Sequence, residues 1–167
     1  MIETEIERKW LITADKDTVE KVLKNYDIKR SGELRQAYII DKPVEVRLRH
    51  MRYNDGEEYY SLDNKIGTGL VRTELGNKIS KEDYDRVLEQ IGKPETVKDY
   101  RRYKLDKFDL EYSDVDNFTM TYIEIEFTSK EEADTFKLPS DLASICIEVT
   151  DETGQNMQDY WRKTRGF

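Results

Sequence analysis

Charged residues recur at every second position in several stretches of the chain. Glu3, Glu5, Glu7 and Lys9 begin the series, and Glu45, Arg47 and Arg49 continue it. Ser61, Asp63 and Lys65 follow, then Arg72 and Glu74, Arg102 and Lys104, Asp109 and Glu111, and Glu124 and Glu126. Glu148 lies between Ile147 and Val149. In an extended strand, side chains two apart share a face. Each stretch therefore reads as a strand with one ionic face and one apolar face. Carboxylates are hard oxygen donors suited to Mg²⁺ or Mn²⁺. Arg and Lys grip phosphate oxygens, Arg often through two parallel hydrogen bonds. Together these are the parts of metal-dependent phosphoryl chemistry.

For any one strand, a solvated face of an antiparallel sheet explains the charges. The set as a whole does not fit that reading. Glu3, Glu5 and Glu7 place like charges side by side. Two unit charges about 4 Å apart at an effective dielectric near 20 interact by about 4 kcal/mol, which demands compensation once the face is enclosed. Closing the sheet, with ionic faces inward and apolar faces under helices, converts the stretches into the lining of a water-filled tunnel.

The elements that must position these residues are predicted as strands at Ile2–Ile12, Leu34–Asp41, Val44–Arg52, Glu57–Lys65, Leu70–Asn77, Asp99–Leu105, Lys107–Asp114, Thr119–Thr128 and Ser144–Thr150. Asn54-Asp55-Gly56 marks a hairpin turn. Helices are predicted at Asp15–Tyr26 and Ser80–Ile91, from Ser129 with the capping pair Ser129/Glu132, and over Asn156–Lys163. Nine strands with interleaved helices make an α+β fold. The length, 167 residues, suits one domain spanning 1–167.

Composition narrows the function. The net charge of −8 argues against nucleic-acid binding, yet leaves room for a small polyanion in a locally basic lining. No apolar run approaches a membrane span, so no membrane association is expected. The single His50 cannot build a zinc site or a histidine triad and is expected in a packing or surface position. The single Cys146 forms no intrachain disulfide, and the acidic start Met1-Ile2-Glu3-Thr4-Glu5 lacks the features of an export signal, so a cytoplasmic location is expected. The Tyr59/Tyr60 and Tyr100/Tyr103 pairs read as packing residues. No Walker-type phosphate loop is present.

Glu5-Ile6-Glu7-Arg8-Lys9 resembles the E-x-E-x-K signature of the CYTH superfamily, the triphosphate tunnel metalloenzymes. Val46-Arg47-Leu48-Arg49, Lys65-Ile66-Gly67, Arg72-Thr73-Glu74, Arg102-Tyr103, Phe108-Asp109-Leu110-Glu111, Tyr122-Ile123-Glu124-Ile125-Glu126 and Glu148-Val149-Thr150-Asp151 follow in the family's order. The resemblance implies a closed eight-stranded antiparallel barrel with helices outside, binding an inorganic or organic triphosphate with Mg²⁺ or Mn²⁺. It implies metal ligands at Glu5, Glu7, Glu111, Glu124 and Glu126. Lys9, Arg47, Arg49, Lys65 and Arg102 become phosphate ligands, and Glu5, Glu7, Lys9 and Glu126 the catalytic set. Glu74 and Glu148 stand in a second tier, orienting basic neighbours. A homodimer is likewise implied by the family alone.

The expected reaction is hydrolysis of a triphosphate, foremost inorganic tripolyphosphate, to pyrophosphate and phosphate. A class IV-type adenylyl cyclase, a thiamine triphosphatase and a non-catalytic polyphosphate-binding module are the alternatives. Two positions depart from the family pattern. Gly76 stands where a second acid often follows Glu74, and Tyr100 stands where a lysine often precedes Arg102. Lys98 and Lys104 are the candidates to compensate for the latter.

Overall fold

The computed structural model describes residues 2–40, 43–92, 94–152 and 154–165. Its elements, in chain order, are β1 (Ile2–Ile12), α1 (Lys16–Leu23), β2 (Ile28–Ile40), β3 (Glu45–Tyr53), β4 (Glu58–Ile66), β5 (Val71–Ile79), α2 (Lys81–Ile91), β6 (Thr96–Leu105), β7 (Phe108–Val115), β8 (Met120–Glu126), α3 (Lys130–Thr135), α4 (Ser140–Ala143), β9 (Cys146–Glu148) and α5 (Met157–Arg165). The strands run in the order β5-β4-β3-β2-β6-β7-β8-β1, and β1 pairs back onto β5. This closes an eight-stranded antiparallel barrel, with helices outside it, as expected for the α+β class.

β1 is the closing strand, and its length serves two neighbours. Ile2–Ile6 pair with β5, Glu7–Leu11 pair with β8, and Trp10–Ile12 take the short β9 on the remaining edge. Closure also removes the exposed edges that an open sheet would present.

The apolar faces point outward, as the alternation requires. Trp10, Leu110, Tyr112, Ile123, Ile125 and Phe127 pack beneath Val19 and Leu23 of α1, Ala133 of α3 and Leu142 of α4. On the opposite wall, Tyr84 of α2 meets the outer rings of His50 and Tyr60, and His50 stacks on Tyr60 at 4.4 Å. His50 is thus a packing residue outside the barrel. α5 closes one end of the barrel. Its Met157 and Trp161 pack against Tyr38, Val115 and Tyr122.

Local sequence explains most boundaries. Asp15, Ser80 and Ser129 each cap a helix through a backbone amide, and Glu132 returns the bond to the Thr128 amide. β2 begins at Ile28, six residues before the expected Leu34, because Lys29–Glu33 lack apolar alternation and are held by pairing with β6. Within that stretch a Cβ on Gly32 would lie 2.4 Å from the Arg52 carbonyl oxygen, so only glycine lets β2 pass β3 this closely. The final residue of the Leu34–Asp41 expectation lies outside the described residues. α4 went unanticipated because four residues are too short to show a helical period. Among the described residues no helix is long and apolar enough to cross a membrane.

Candidate active site

The barrel encloses a cavity of about 510 Å³ lined by the inward face of every barrel strand. Glu5, Glu7 and Lys9 enter from β1, Arg47 and Arg49 from β3, and Lys65 from β4. Glu74 enters from β5, Arg102 from β6, Glu111 from β7, and Glu124 and Glu126 from β8. Antiparallel register brings them together, since cross-strand partners share a face. Glu7 pairs with Glu126, Lys9 with Glu124, Glu124 with Glu111, Glu111 with Arg102, and Lys65 with Glu74.

Glu148 does not join them. Its partner across β9 and β1 is Trp10, which faces outward, so Glu148 faces outward too. Its carboxylate receives a bidentate bond from Arg8, at 2.7 and 2.6 Å. The neighbouring Val149 turns inward instead. The expectation of a tunnel-facing Glu148 is corrected: β9 lies outside the ring, and its alternation holds but with the ionic side turned outward, where Glu148 orients a basic neighbour, Arg8.

The inward charges are arranged as pairs. The Lys65 ammonium donates to both oxygens of Glu5, at 2.8 and 2.7 Å. Arg47 meets Glu74 at 3.1 Å and Glu45 at 3.2 Å, and Arg72 meets Glu45 at 2.7 Å. Arg49 meets Asp63 at 3.1 Å, Arg102 meets Glu111 at 2.8 Å, and Lys9 stands 3.6 Å from Glu124.

The pairing draws in Glu45, Asp63 and Arg72, which were placed on ionic faces by alternation but assigned no role. Asp63 also accounts for Gly76. The two are cross-strand partners, and a Cβ on Gly76 would come within 3.2 Å of an Asp63 oxygen. The carboxylate at this level of the tunnel belongs to β4.

Tyr100, the other departure, donates its hydroxyl hydrogen to Glu111 at 2.9 Å and accepts from Arg102 at 3.0 Å. Lys98, on the same face of β6, is the buried lysine, while Lys104 is exposed. The tyrosine pairs divide: Tyr60 and Tyr103 pack outside, whereas Tyr59 and Tyr100 line the cavity with Tyr53, Leu34 and Met51.

An eight-stranded barrel with an ionic interior can be compared with known structures. The fold is shared with the inorganic triphosphatase NE1496. The two are 22% identical, with a TM-score of 0.54 over 94% of this chain and 93% of that one. The PH1819 protein of Pyrococcus horikoshii OT3 matches at 24% identity and a TM-score of 0.59, over 78% of this chain and 82% of its own. HpAC1 from Hippeastrum, a protein with a dominant triphosphatase activity, matches at 16% identity and 0.52, over 78% and 82%. No family model and no curated protein sequence matches this chain. At these identities the likeness is one of fold.

Electrostatics separate the carboxylates. Burial opposes ionisation of Glu5, but Lys65 and then Arg47 outweigh it and hold the carboxyl below the usual range. Glu45 behaves alike: burial is overcome by Arg47 and Arg72. Glu7 is the contrary case. Burial, followed by the facing carboxylates of Glu124 and Glu5, pushes it up to about 8. Burial raises Glu126 too, with Glu5, Glu111 and Glu74 adding to the effect.

Negative charge is therefore in surplus around Glu7 and Glu126, and the donors there are all oxygen. That matches a hard divalent cation. Among the described residues, however, no three metal-binding side chains converge into a ready-made cage. The carboxylates fit a metal as a donor set, with Glu5 engaged by Lys65.

Proposed function

We propose that this protein is a CYTH-type triphosphate tunnel enzyme that hydrolyses a triphosphate, with inorganic tripolyphosphate as the smallest substrate filling the ionic part of the cavity. The observation carrying this reading is the convergence, inside one closed barrel, of an acidic sector (Glu5, Glu7, Glu111, Glu124, Glu126) with Lys9, Arg47, Arg49, Lys65 and Arg102. A purely structural interior would not retain this many buried charges, since ion pairs taken out of water recover little net stability.

In this reading, Arg47, Arg49, Lys65 and Arg102 hold the phosphate chain extended along the tunnel. Lys9 orients the terminal phosphoryl group and the attacking water. The water oxygen forms a bond to the terminal phosphorus as the bridging P–O bond breaks, giving orthophosphate and pyrophosphate. Glu5, Glu7 and Glu126, with Glu111 and Glu124 adjoining, would hold Mg²⁺ or Mn²⁺. The metal would offset phosphate charge and lower the pKa of water. Glu74 orients Arg47 and Lys65, at 3.1 and 3.9 Å.

A second substrate reading has its own observation. Leu34, Met51, Tyr53, Tyr59 and Tyr100 give one sector of the cavity an apolar wall, which suits a triphosphate bearing an organic group.

The deciding experiment is a phosphate-release assay over tripolyphosphate, ATP, thiamine triphosphate and pyrophosphate, with Mg²⁺ and with Mn²⁺, and with cyclic AMP analysed in the ATP arm. Glu126→Gln and Glu5→Gln are expected to abolish release. Undiminished release in either variant contradicts the assignment. Cyclic AMP as the main product of ATP replaces hydrolysis by cyclisation.

A further inference from the structure

The aromatic wall of the cavity stands at the end away from α5. Tyr53 is the last residue of β3, whereas the first, Glu45, accepts a hydrogen bond from Gln158 of α5. The wall depends on a glycine. Gly32 of β2 is the cross-strand partner of both Tyr53 on β3 and Tyr100 on β6. With no side chain between them, the two rings meet across β2 edge to face, their centroids 6.3 Å apart. Tyr59 joins from β4, also 6.3 Å from Tyr53 and tilted by 47°. Neither pair is parallel.

What stacks on Tyr53 is Arg30. Its guanidinium carbon lies 3.4 Å from the ring centroid, at contact distance. Arg30 shares the tunnel face of β2, since its cross-strand partner on β6 is Arg102, which lines the cavity. Two carboxylates beside the β3–β4 turn hold it there. Its Nε donates to Asp55 at 2.7 Å, and its Nη2 donates to Glu57. Both carboxylates are more than half exposed, so the pairs add little stability and serve to fix where the guanidinium lies.

A face of the ring is thereby taken. Tyr53 is 8% exposed with Arg30 in place, so little of it is open to a ligand. A flat organic group entering behind a triphosphate would bind an aromatic wall by stacking. On Tyr53 it would have to displace a cation that already fills the position and is tied down twice. An inorganic triphosphate makes no such demand, since Arg47 and Arg49 lie further along β3 toward α5.

We infer that Arg30 is a specificity-determining residue: by occupying a face of Tyr53, it turns the tunnel toward inorganic triphosphate and against triphosphates that carry a planar ring. The inference rests on the reading of the cavity as a triphosphate site and decides between the two substrate readings of that site.

The test compares tripolyphosphate with ATP on wild type, Arg30→Ala and Arg30→Ala/Tyr53→Leu. The ATP-to-tripolyphosphate ratio is read in kcat/KM with Mg²⁺ and in affinity by calorimetry. A general loss of stability lowers both substrates together and leaves this ratio where it was. Arg30→Ala should raise the ratio by about tenfold, within the range for one base stacked on an aromatic ring. Adding Tyr53→Leu should remove most of the gain. Asp55→Asn/Glu57→Gln frees Arg30 without deleting it and should raise the ratio by less; it carries the test if Arg30→Ala does not fold.

Wild type that uses ATP as well as it uses tripolyphosphate overturns the inference. So does an Arg30→Ala ratio within about twofold of wild type, on the scale where 1.4 kcal/mol is tenfold. A lower ratio overturns it too, because the guanidinium would then be part of a platform that grips the ring, as does a gain that survives Tyr53→Leu. Wild type that neither binds tripolyphosphate nor releases phosphate from either substrate sinks the triphosphate reading itself, so the two failures are separable.

Discussion

Glu7→Gln should stabilise the metal-free protein at alkaline pH and leave it unchanged in acid. Glu7 is lifted from the ordinary 4.5 to about 8 by burial and by the facing Glu124 and Glu5 carboxylates. Below about pH 4.5 the side chain is protonated in the folded and unfolded chains alike. Between 4.5 and 8 the unfolded chain has released its proton and the folded chain still holds one, so each rise in pH favours unfolding. Above 8 the penalty is complete.

At 1.36 kcal/mol for each tenfold change in proton affinity, the upper bound is about 5 kcal/mol. Water inside the tunnel screens part of it, leaving about 2–3 kcal/mol. Gln has nearly the same shape and does not ionise, so the variant should lack this slope. Urea unfolding in EDTA at pH 5, 6.5 and 8 measures it directly. The gap between variant and wild type should open with pH, the variant being the more stable. Saturating Mg²⁺ should then narrow it, if the proposed cation satisfies the carboxylate. A variant no more stable than wild type at pH 8, or a gap that ignores pH, refutes the electrostatic account of Glu7.

Lys65→Ala leaves Glu5 buried without its ammonium and should cost about 3–5 kcal/mol at pH 7 by chemical denaturation. Because Lys65 holds the Glu5 carboxyl below its ordinary range, that loss should shrink as pH falls below 4.5; a loss of the same size at pH 3.5 and pH 7 contradicts the pair's role. Glu148→Gln, on the outer surface with Arg8, should leave phosphate release unchanged, and a large fall would return Glu148 to the site. Trp161→Ala removes a side chain 2% exposed between α5 and the barrel end, and should lower stability by about 3–5 kcal/mol in thermal or urea melts. A melt unchanged by this substitution would show that α5 is not docked through Trp161.

Much of the site was legible in the chain before any coordinates. Glu5 with Glu7, Arg47 with Arg49, and Glu124 with Glu126 sit two apart, and pleated geometry allows each such pair only one common face. The same rule placed Trp10, Ile123 and Ile125 on the opposite face, and amphipathic helices were available to cover them. Helix starts at Asp15, Ser80 and Ser129 were legible because capping is a bond between near neighbours.

What alternation could not decide was which pairs of strands would meet. It could not say that Lys65 would grip Glu5, sixty residues away, or that Asp63 would fill the space beside Gly76. It turned Glu148 the wrong way, because the register of β9 is set by Trp10 on a distant strand. It left Lys98 and Lys104 equivalent, although barrel closure buries one and leaves the other in water. Period and capping act over a few residues and are written in local order. Register, depth within the barrel and the partner of each charge depend on closure between β1 and β5, and exist only once the ring has formed.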